Sequence, residues 1–190
     1  MKLSSRNFIT WNQSGRSIDV ELVKTIFDCV RIYKLKSRVD NRGPMTYVYE
    51  DCIDDFEVKE TRVYTMPQKG TFFGIHYTDE KGQMSKLVSV VQGRGMDYVV
   101  DLRETSSTYL KCESIELGKD NSLAVLVPAG IGHAFISLED NTIQIFSINK
   151  SGKDGYSKQL NYTEKKIGLK LPVPVTQISD YDLNAPFLKN

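Results

Sequence analysis

The sequence has few of the residues that build metal sites or disulfide bridges. Its 190 residues include three cysteines and two histidines. Cys29, Cys52 and Cys112 lie far apart, are odd in number and form no CxxC pair, which argues against a disulfide framework and a zinc site. Metal sites in small β-barrels usually take several imidazoles, often from a His-x-His pair, and His76 and His133 form no such pair. We therefore predict reduced thiols and no metal ion or other cofactor.

Excess charge of one sign and long apolar runs are also missing. The chain carries 25 Lys and Arg against 24 Asp and Glu, a formal net charge of +1. Such a balance lacks the strong field that attracts nucleic acid or an anionic membrane, although it permits a local anion site. No run approaches the roughly 18 apolar residues of a membrane-spanning helix, and residues 1–15 lack the apolar core of a signal peptide. We expect a cytoplasmic protein with no nucleic-acid or membrane partner.

The length fits one hydrophobic core. Near the N-terminus, the spacing of Ile18, Leu22 and Ile26 predicts one short amphipathic helix. We accordingly expect an N-terminal extension over residues 1–27 that contains this helix, followed by a single domain over residues 28–190.

After residue 28 the pattern changes to short alternating and β-branched runs, which are typical of strands. Two of the breaks between them, GRG at 93–95 and GKDN at 118–121, have the composition of tight turns. No long helical pattern interrupts the runs, so the sequence predicts a β-sandwich or barrel. From residue 149 onward the chain is polar and contains prolines, and we expect it to lie against the sandwich without joining a sheet. The nine predicted strands are 29–35, 62–66, 71–78, 86–92, 96–102, 109–117, 123–127, 133–138 and 142–148.

Both histidines occur in distinctive surroundings. His76 ends a run in which alternation places Phe72, Gly74 and His76 on one face of a strand. His133 follows the tight turn PAGIG at 128–132. Taken alone, a single strand histidine of this kind is more often a hydrogen-bonded core or surface residue than a functional one.

Seven short motifs follow one another between residues 30 and 188: DNRG at 40–43, GIH at 74–76, KLVSVVQG at 86–93, VDLR at 100–103 with STY at 107–109, PAGIGHAF at 128–135, IGL at 167–169 with LP at 171–172, and ISDYD at 178–182 with AP at 185–186. In order and spacing they resemble the DxRG, RGxH, KLVRVVxG, VDLRxxSPTF, PxGFAHGF, IGIxWP and LSxKDxxAP elements of the dTDP-4-dehydrorhamnose 3,5-epimerase family. One such motif is a weak signal, whereas seven in order are specific.

This resemblance implies a fold and a reaction. The expected fold is all-β: a cupin-type jelly-roll β-sandwich, with the short N-terminal helix and an irregular or helical C-terminal tail added. The resemblance also implies a homodimer that exchanges strands between subunits and acts without a metal on a nucleotide-linked 4-keto-6-deoxy sugar. The expected function is an epimerase in deoxysugar biosynthesis, supplying sugars of the rhamnose type for surface polysaccharide or a glycosylated product.

The resemblance assigns catalytic roles to three residues. His76 matches the base that removes a proton next to the C4 ketone, a task that suits histidine because it titrates near neutral pH. Asp182 matches its partner, which orients the imidazole and supports the imidazolium. Lys86 matches the cation that faces the C4 oxygen, where negative charge develops in the enolate. Without the resemblance, Lys86 and Asp182 would be interpreted as solvated surface charges.

Further residues match ligand-binding positions. Arg42 is expected to grip a diphosphate, often in the neighbouring subunit's site, with an exposed salt bridge as the alternative. His133 either contacts the nucleotide-sugar or braces its turn. Asp101 and Arg103 fit an internal structural ion pair as well as they fit a role in ligand binding.

Three departures from the family pattern favour a changed substrate or outcome. Phe73 replaces the RGxH arginine, which removes an expected phosphate contact. Alignment of the strand near residue 147 places Ser147 where the family has its acidic tyrosine, so that the proton would have to come from water or from another residue, for example Tyr156 or, less favourably, Tyr64 or Tyr77. The family's nucleotide-facing QDNxS run corresponds here to TRVYT at 61–65, and its DYY aromatics are replaced around residues 151–153.

These departures leave several functions open. Epimerisation at one carbon only, ketone migration through the enediol, and use of a nucleotide other than dTDP are all compatible with the retained base. A binding module for carbohydrates or sugar nucleotides that has lost turnover is an alternative of a different class.

Overall fold

A computed structural model describes residues 10–11, 17–18, 20–49, 53, 56–150 and 157–189. These residues form fifteen strands, one 3₁₀ turn and one short α-helix. The strands are β1 (Thr10–Trp11), β2 (Ser17–Ile18), β3 (Glu21–Ile26), β4 (Val30–Lys34), β5 (Ser37–Asp40), β6 (Gly43–Thr46), β7 (Glu60–Met66), β8 (Phe72–Tyr77), β9 (Lys86–Gln92), β10 (Arg94–Asp101), β11 (Cys112–Gly118), β12 (Leu123–Val127), β13 (Ile131–Ser137), β14 (Thr142–Ile148) and β15 (Lys158–Gln159). The 3₁₀ turn is Glu80–Gly82, and helix α1 is Asp180–Leu183.

Two antiparallel sheets face each other. One has the strand order β11-β10-β13-β8-β15 and the other β3-β4-β12-β9-β14-β7, while β1 with β2 and β5 with β6 form separate two-stranded pairs. Each of the nine predicted strands is present, with ends shifted by at most three residues. The predicted β-sandwich is therefore confirmed.

Alternation along the strands fills the space between the sheets with β-branched side chains. Val88, Val99 and Val125 are fully buried there, together with the ring of Phe135. Gly95 makes room for that ring, since a Cβ atom at Gly95 would lie 2.0 Å from Phe135 Cζ. This core occupies one part of the sandwich, and a cavity described below opens beside it.

The outer face of the five-stranded sheet is covered by the C-terminal segment. Leu160 and Ile167 pack there against Phe72, Tyr98 and Ile136. The expectation that this segment stays outside the sheet is wrong in two places. β15 pairs with β8, and an isolated parallel bridge joins the backbone at residues 71 and 177.

The predicted N-terminal helix is also wrong, because the residues around it form the edge strand β3. A helix would need a buried apolar stripe, yet Leu22 and Val23 are 50% and 54% exposed, and Ile26 alone in this strand is buried. Backbone pairing with β4 satisfies the segment instead. The apolar spacing of three to four residues therefore led to the wrong prediction of a helix. The segment is a strand in which only the last residue, Ile26, is buried.

Asp101 and Arg103 form the structural ion pair that the sequence left open, with 2.8 Å between Arg103 Nη2 and Asp101 Oδ2. Burial alone would raise the pKa of Asp101, but hydrogen bonds from Arg103, Ser106 and Thr108 outweigh it and hold that pKa well below its usual range. The Arg103 side chain also packs against Gly130, where a Cβ atom would meet Arg103 Cγ at 2.7 Å. The pair thus supports the turn that leads into β13.

In the described part of the chain, no helix is long and apolar enough to cross a membrane.

Candidate active site

A cavity of about 360 Å³ opens between the two sheets at one end of the sandwich. The six-stranded sheet, the five-stranded sheet and the C-terminal segment each contribute part of its wall. Its chemically informative lining residues are Arg62, Tyr64, Lys86 and Phe146 from the first, Phe73, His76 and His133 from the second, and Ser179, Tyr181 and Asp182 from the third.

His76 and Asp182 form a hydrogen-bonded pair in this cavity. The distance between His76 Nε2 and Asp182 Oδ1 is 2.6 Å, and the Asp182 side chain is only 4% exposed. Asp182 is held in the first turn of α1, where its backbone N–H donates to the Ser179 hydroxyl. With Nε2 engaged, Nδ1 is the ring nitrogen of His76 that remains for a ligand.

A second histidine–aspartate pair joins the two neighbouring strands, with His133 on β13 and Asp97 on β10. His133 lies opposite His76 in the β8–β13 register, and His133 Nε2 is 2.7 Å from Asp97 Oδ1. Both side chains are almost fully buried, and Asp97 Oδ2 has no hydrogen-bond partner among the described residues. His133 is part of the cavity wall, and Asp97 behind it places a carboxylate in the interior.

Lys86 enters the cavity from the opposite sheet, at the first residue of β9. Although the residue as a whole is half-buried, burial of its ammonium group is the main reason that the pKa of Lys86 is lowered to about 8. The Asp97 carboxylate raises this pKa and Arg62 lowers it. Within the described ranges, no residue accepts a hydrogen bond from the Lys86 ammonium, which leaves it available to a ligand oxygen.

Phe73 is the centre of an aromatic cluster in the cavity. Its ring centroid lies 5.4 Å from Tyr64, 6.3 Å from His76, 5.8 Å from His133 and 5.9 Å from Phe135. Phe73 and Tyr64 belong to different sheets, so their edge-to-face contact closes the apolar wall between them.

The predicted alternation of β8 does not hold, because Phe73 lines the cavity together with Phe72 and His76. Phe72 packs in the outer cluster under the C-terminal segment. The pairing with β13 shifts its register here, and Gly74 has a φ of 114°. A Cβ atom at Gly74 would lie 2.6 Å from Ala134 Cα, so this irregular passage requires glycine.

Ser147 does not line the cavity, contrary to the expectation that it belongs to the ligand site. Its hydroxyl is hydrogen-bonded to Thr61 at 2.9 Å. Phe146 and Ile148, one residue away on either side, line the cavity instead. Because side chains alternate along a strand, an alignment that is off by one residue selects the wrong face. β14 contains no tyrosine, so its inner face supplies no phenolic proton.

Another predicted site residue, Arg42, lies away from the cavity. Arg42 is on the β5–β6 hairpin, with its side chain 85% exposed and ion-paired to Asp40, and it does not line this chain's cavity. Tyr156 lies outside the described residues.

Tyr181, Arg62 and Phe146 line the cavity although the sequence did not predict them as site residues, and Tyr64 was predicted only as a less favoured proton donor. Tyr181 adjoins Asp182 in sequence, and its ring is 6.0 Å from that of His76. Arg62 and Tyr64 lie in the run matched to the family's nucleotide-facing segment, and their alternation could have placed both on one face. Phe146 is also in the cavity, beneath the Arg62 guanidinium.

Comparisons with known proteins point to one family. The model describing the dTDP-4-dehydrorhamnose 3,5-epimerase family matches residues 24–190. A dTDP-4-dehydrorhamnose 3,5-epimerase from Sinorhizobium fredii is 32% identical over 165 residues, which cover 84% of this chain and 85% of the relative.

Two solved structures are similar over most of their length. The dTDP-4-dehydrorhamnose 3,5-epimerase from Bacillus anthracis, with TDP and PPi bound, has a TM-score of 0.81 and 26% identity, covering 89% of this chain and 99% of that one. A 3'-monoepimerase from Streptomyces bikiniensis in complex with dTDP-quinovose has a TM-score of 0.75 and 27% identity, covering 83% of each chain. The chain belongs to the dTDP-4-dehydrorhamnose 3,5-epimerase family.

Proposed function

We propose that this protein is an epimerase of a dTDP-linked 4-keto-6-deoxy sugar, acting by proton abstraction next to the C4 ketone. The observation that carries the proposal is the His76–Asp182 pair facing Lys86 across one cavity. Family membership supplies the substrate class, since similar proteins act on dTDP-sugars of this type.

In the proposed reaction, Nδ1 of neutral His76 takes the proton from the carbon next to the ketone. The C–H electron pair forms the C=C bond of the enolate, and the carbonyl π pair moves onto oxygen. Asp182 supports the imidazolium, and Lys86 stabilises the developing oxyanion. A proton then returns to carbon from the opposite face, which inverts the centre.

The residue that donates this second proton must differ from the one in the family pattern, because β14 contains no tyrosine. Inversion requires a donor across the sugar from His76. Tyr64 is on the six-stranded sheet, opposite the β8 strand that carries His76, whereas Tyr181 is on α1 beside His76. We therefore assign the donor role to Tyr64, with Tyr156 as the donor expected from the sequence.

A site with one well-placed base and a rearranged donor favours epimerisation at one carbon. Two successive inversions require the same base and donor to address C3 and C5 in turn, whereas a single inversion requires one alignment. The 3'-monoepimerase structure that this chain resembles gives this outcome a precedent in the family.

The test is proton exchange in deuterated water. The protein is incubated with dTDP-4-keto-6-deoxyglucose, and deuterium at C3 and C5 is followed by NMR together with the configuration of each carbon. We expect incorporation and inversion at one carbon. Incorporation at neither carbon, with dTDP binding intact, would favour the non-catalytic binding module. Movement of the ketone would identify an isomerase. His76→Asn is the matched control, since it replaces the basic imidazole with a polar amide that cannot take up the proton.

We further propose a cytoplasmic homodimer. Strand β3 is the exposed edge of its sheet and carries Leu22 and Val23, and the neighbouring hairpin exposes Val39 and Met45. An apolar sheet edge is suited to pairing with a second chain. Arg42 lies on this hairpin, which supports a role in the partner's site rather than in its own. Light scattering should give twice the chain mass, and Arg42→Gln should weaken dTDP binding; a monomer would contradict both.

A further inference from the structure

The cavity contains a second positively charged side chain, Arg62, to which the proposed reaction assigns no role. Among the described lining residues, Arg62 and Lys86 are the lysine and arginine side chains present. Lys86 lies deep and faces the position assigned to the sugar carbonyl. Arg62 is on the edge strand β7, with its side chain 49% exposed, so it lies at the cavity mouth.

Two contacts hold the Arg62 guanidinium in place. Its Nε donates to Glu60 Oε1 at 2.5 Å, and its Cζ lies 5.8 Å from the centroid of the Phe146 ring. No described residue accepts a hydrogen bond from its terminal amino groups. The guanidinium is therefore oriented from one edge and one face, while its two terminal nitrogens remain for a ligand.

The electrostatics of the cavity favour an anion at this point. Arg62 lowers the pKa of Lys86, so the two positive charges interact unfavourably. A phosphate bound to Arg62 would offset that repulsion. Because Arg62 is half-exposed, binding there requires less desolvation of the arginine than binding at a buried site.

Among the described residues that line the cavity, none besides Arg62 carries a guanidinium. Phe73 is uncharged, and Arg42 is outside the cavity. A nucleoside diphosphate nevertheless brings two phosphates to the site, and guanidinium is well matched to phosphate oxygens.

We propose that Arg62 binds the diphosphate of the nucleotide-sugar and determines the preference of this site for phosphorylated ligands. The inference rests on the proposed function. It moves the cavity's phosphate contact from β8, where Phe73 now lies, to β7 in the opposite sheet.

Calorimetric titration with dTDP and with thymidine tests this inference. The wild-type protein should bind dTDP more tightly than thymidine. Arg62→Gln should lower dTDP affinity about 10- to 100-fold, the range for loss of charge-assisted hydrogen bonds, and should leave thymidine affinity unchanged. Arg62→Lys should recover part of the loss, because it restores the charge without the fork of donors.

Arg94→Gln is the matched control. The Arg94 side chain is 50% exposed and ion-paired to Glu116 and Glu139, but it does not line the cavity. It should bind both ligands as the wild type does.

The outcomes separate this inference from the proposed function. If wild-type protein binds neither ligand, the proposed function fails. If wild-type protein binds dTDP and Arg62→Gln binds it equally well, Arg62 is not the phosphate contact. An equal loss for dTDP and thymidine would also overturn the inference, because it would indicate a contact to the nucleoside or a change in the cavity itself.

Discussion

His76 and Lys86 lie on opposite sheets and face the same cavity. His76 is near the end of β8, and Lys86 is the first residue of β9, so the segment between these strands carries the chain from one sheet to the other. This arrangement puts a base on one wall and a cation on the other. A planar enolate between them can have its carbon near the imidazole and its oxygen near the ammonium.

The His76–Asp182 hydrogen bond predicts that Asp182 affects turnover more than binding. Asp182→Asn keeps the size of the side chain but removes the charge that supports the imidazolium. We expect deuterium exchange to slow by roughly 100-fold or more, the lower range for loss of general base catalysis, with dTDP affinity within twofold of wild type. Single-turnover NMR and calorimetry measure the two quantities. Wild-type exchange in this variant would show that Asp182 has no part in the reaction.

Burial of Lys86 predicts a conflict between stability and activity. The pKa of Lys86 is lowered from 10.5 in the unfolded chain to about 8, so at neutral pH the charged side chain costs about 3 kcal/mol of folding free energy. Lys86→Met, which keeps a flexible chain without the charge, should be more stable at pH 7 and should lose turnover. Between pH 8 and 10.5 the unfolded wild-type chain binds the extra proton, so wild-type stability rises with pH relative to the variant.

Urea unfolding of both proteins at pH 7 and pH 10 measures this difference. The advantage of Lys86→Met should shrink at the higher pH, because deprotonated Lys86 no longer imposes the cost of a buried charge. A variant that is less stable than wild type at pH 7 would contradict a buried, desolvated ammonium.

Much of this fold could be predicted because its strands carry strong local signals. Runs such as that of β12 combine β-branched residues with flanking turn residues, and they were identified within a few positions. The strand β3 could not be identified in this way, because its pairing with β4 uses the backbone and leaves Leu22 and Val23 exposed. The spacing of apolar residues predicts secondary structure only where those side chains are buried against the core.

Site residues that belong to sequence motifs could be predicted. Site residues whose position depends on which face of a strand they occupy were missed. His76, Lys86 and Asp182 were identified through motifs, and the structure brings all three to one cavity. Ser147 was misplaced because one position along a strand reverses the side chain's direction. Tyr181 had no separate signal, since a four-residue helix in a polar segment leaves no periodic pattern.

The lowered pKa of Lys86 also predicts the pH dependence of turnover. The ammonium stabilises the enolate only when protonated, so kcat/KM, which reports the free enzyme, should fall as the pH rises through about 8. Removing the positive charge of Arg62 should raise the pKa of Lys86 and move this fall to higher pH. Arg94→Gln should leave its midpoint unchanged. A fall at the same pH in Arg62→Gln and wild type would contradict the interaction between Arg62 and Lys86.

Tyr64 and Tyr181 predict different effects on inversion. If Tyr64 donates from the wall opposite His76, Tyr64→Phe should still exchange the substrate proton with deuterium but should return it to the original face, so that configuration is retained. Tyr181→Phe, with its ring on the His76 side, should keep inversion at a rate within a few fold of wild type. NMR in deuterated water measures exchange and configuration in the same sample, which makes each variant its own control for base activity. Inversion by Tyr64→Phe at the wild-type rate would exclude Tyr64 as the donor. Loss of inversion in Tyr181→Phe alone would show that the donor approaches from α1, on the side where the structure places His76.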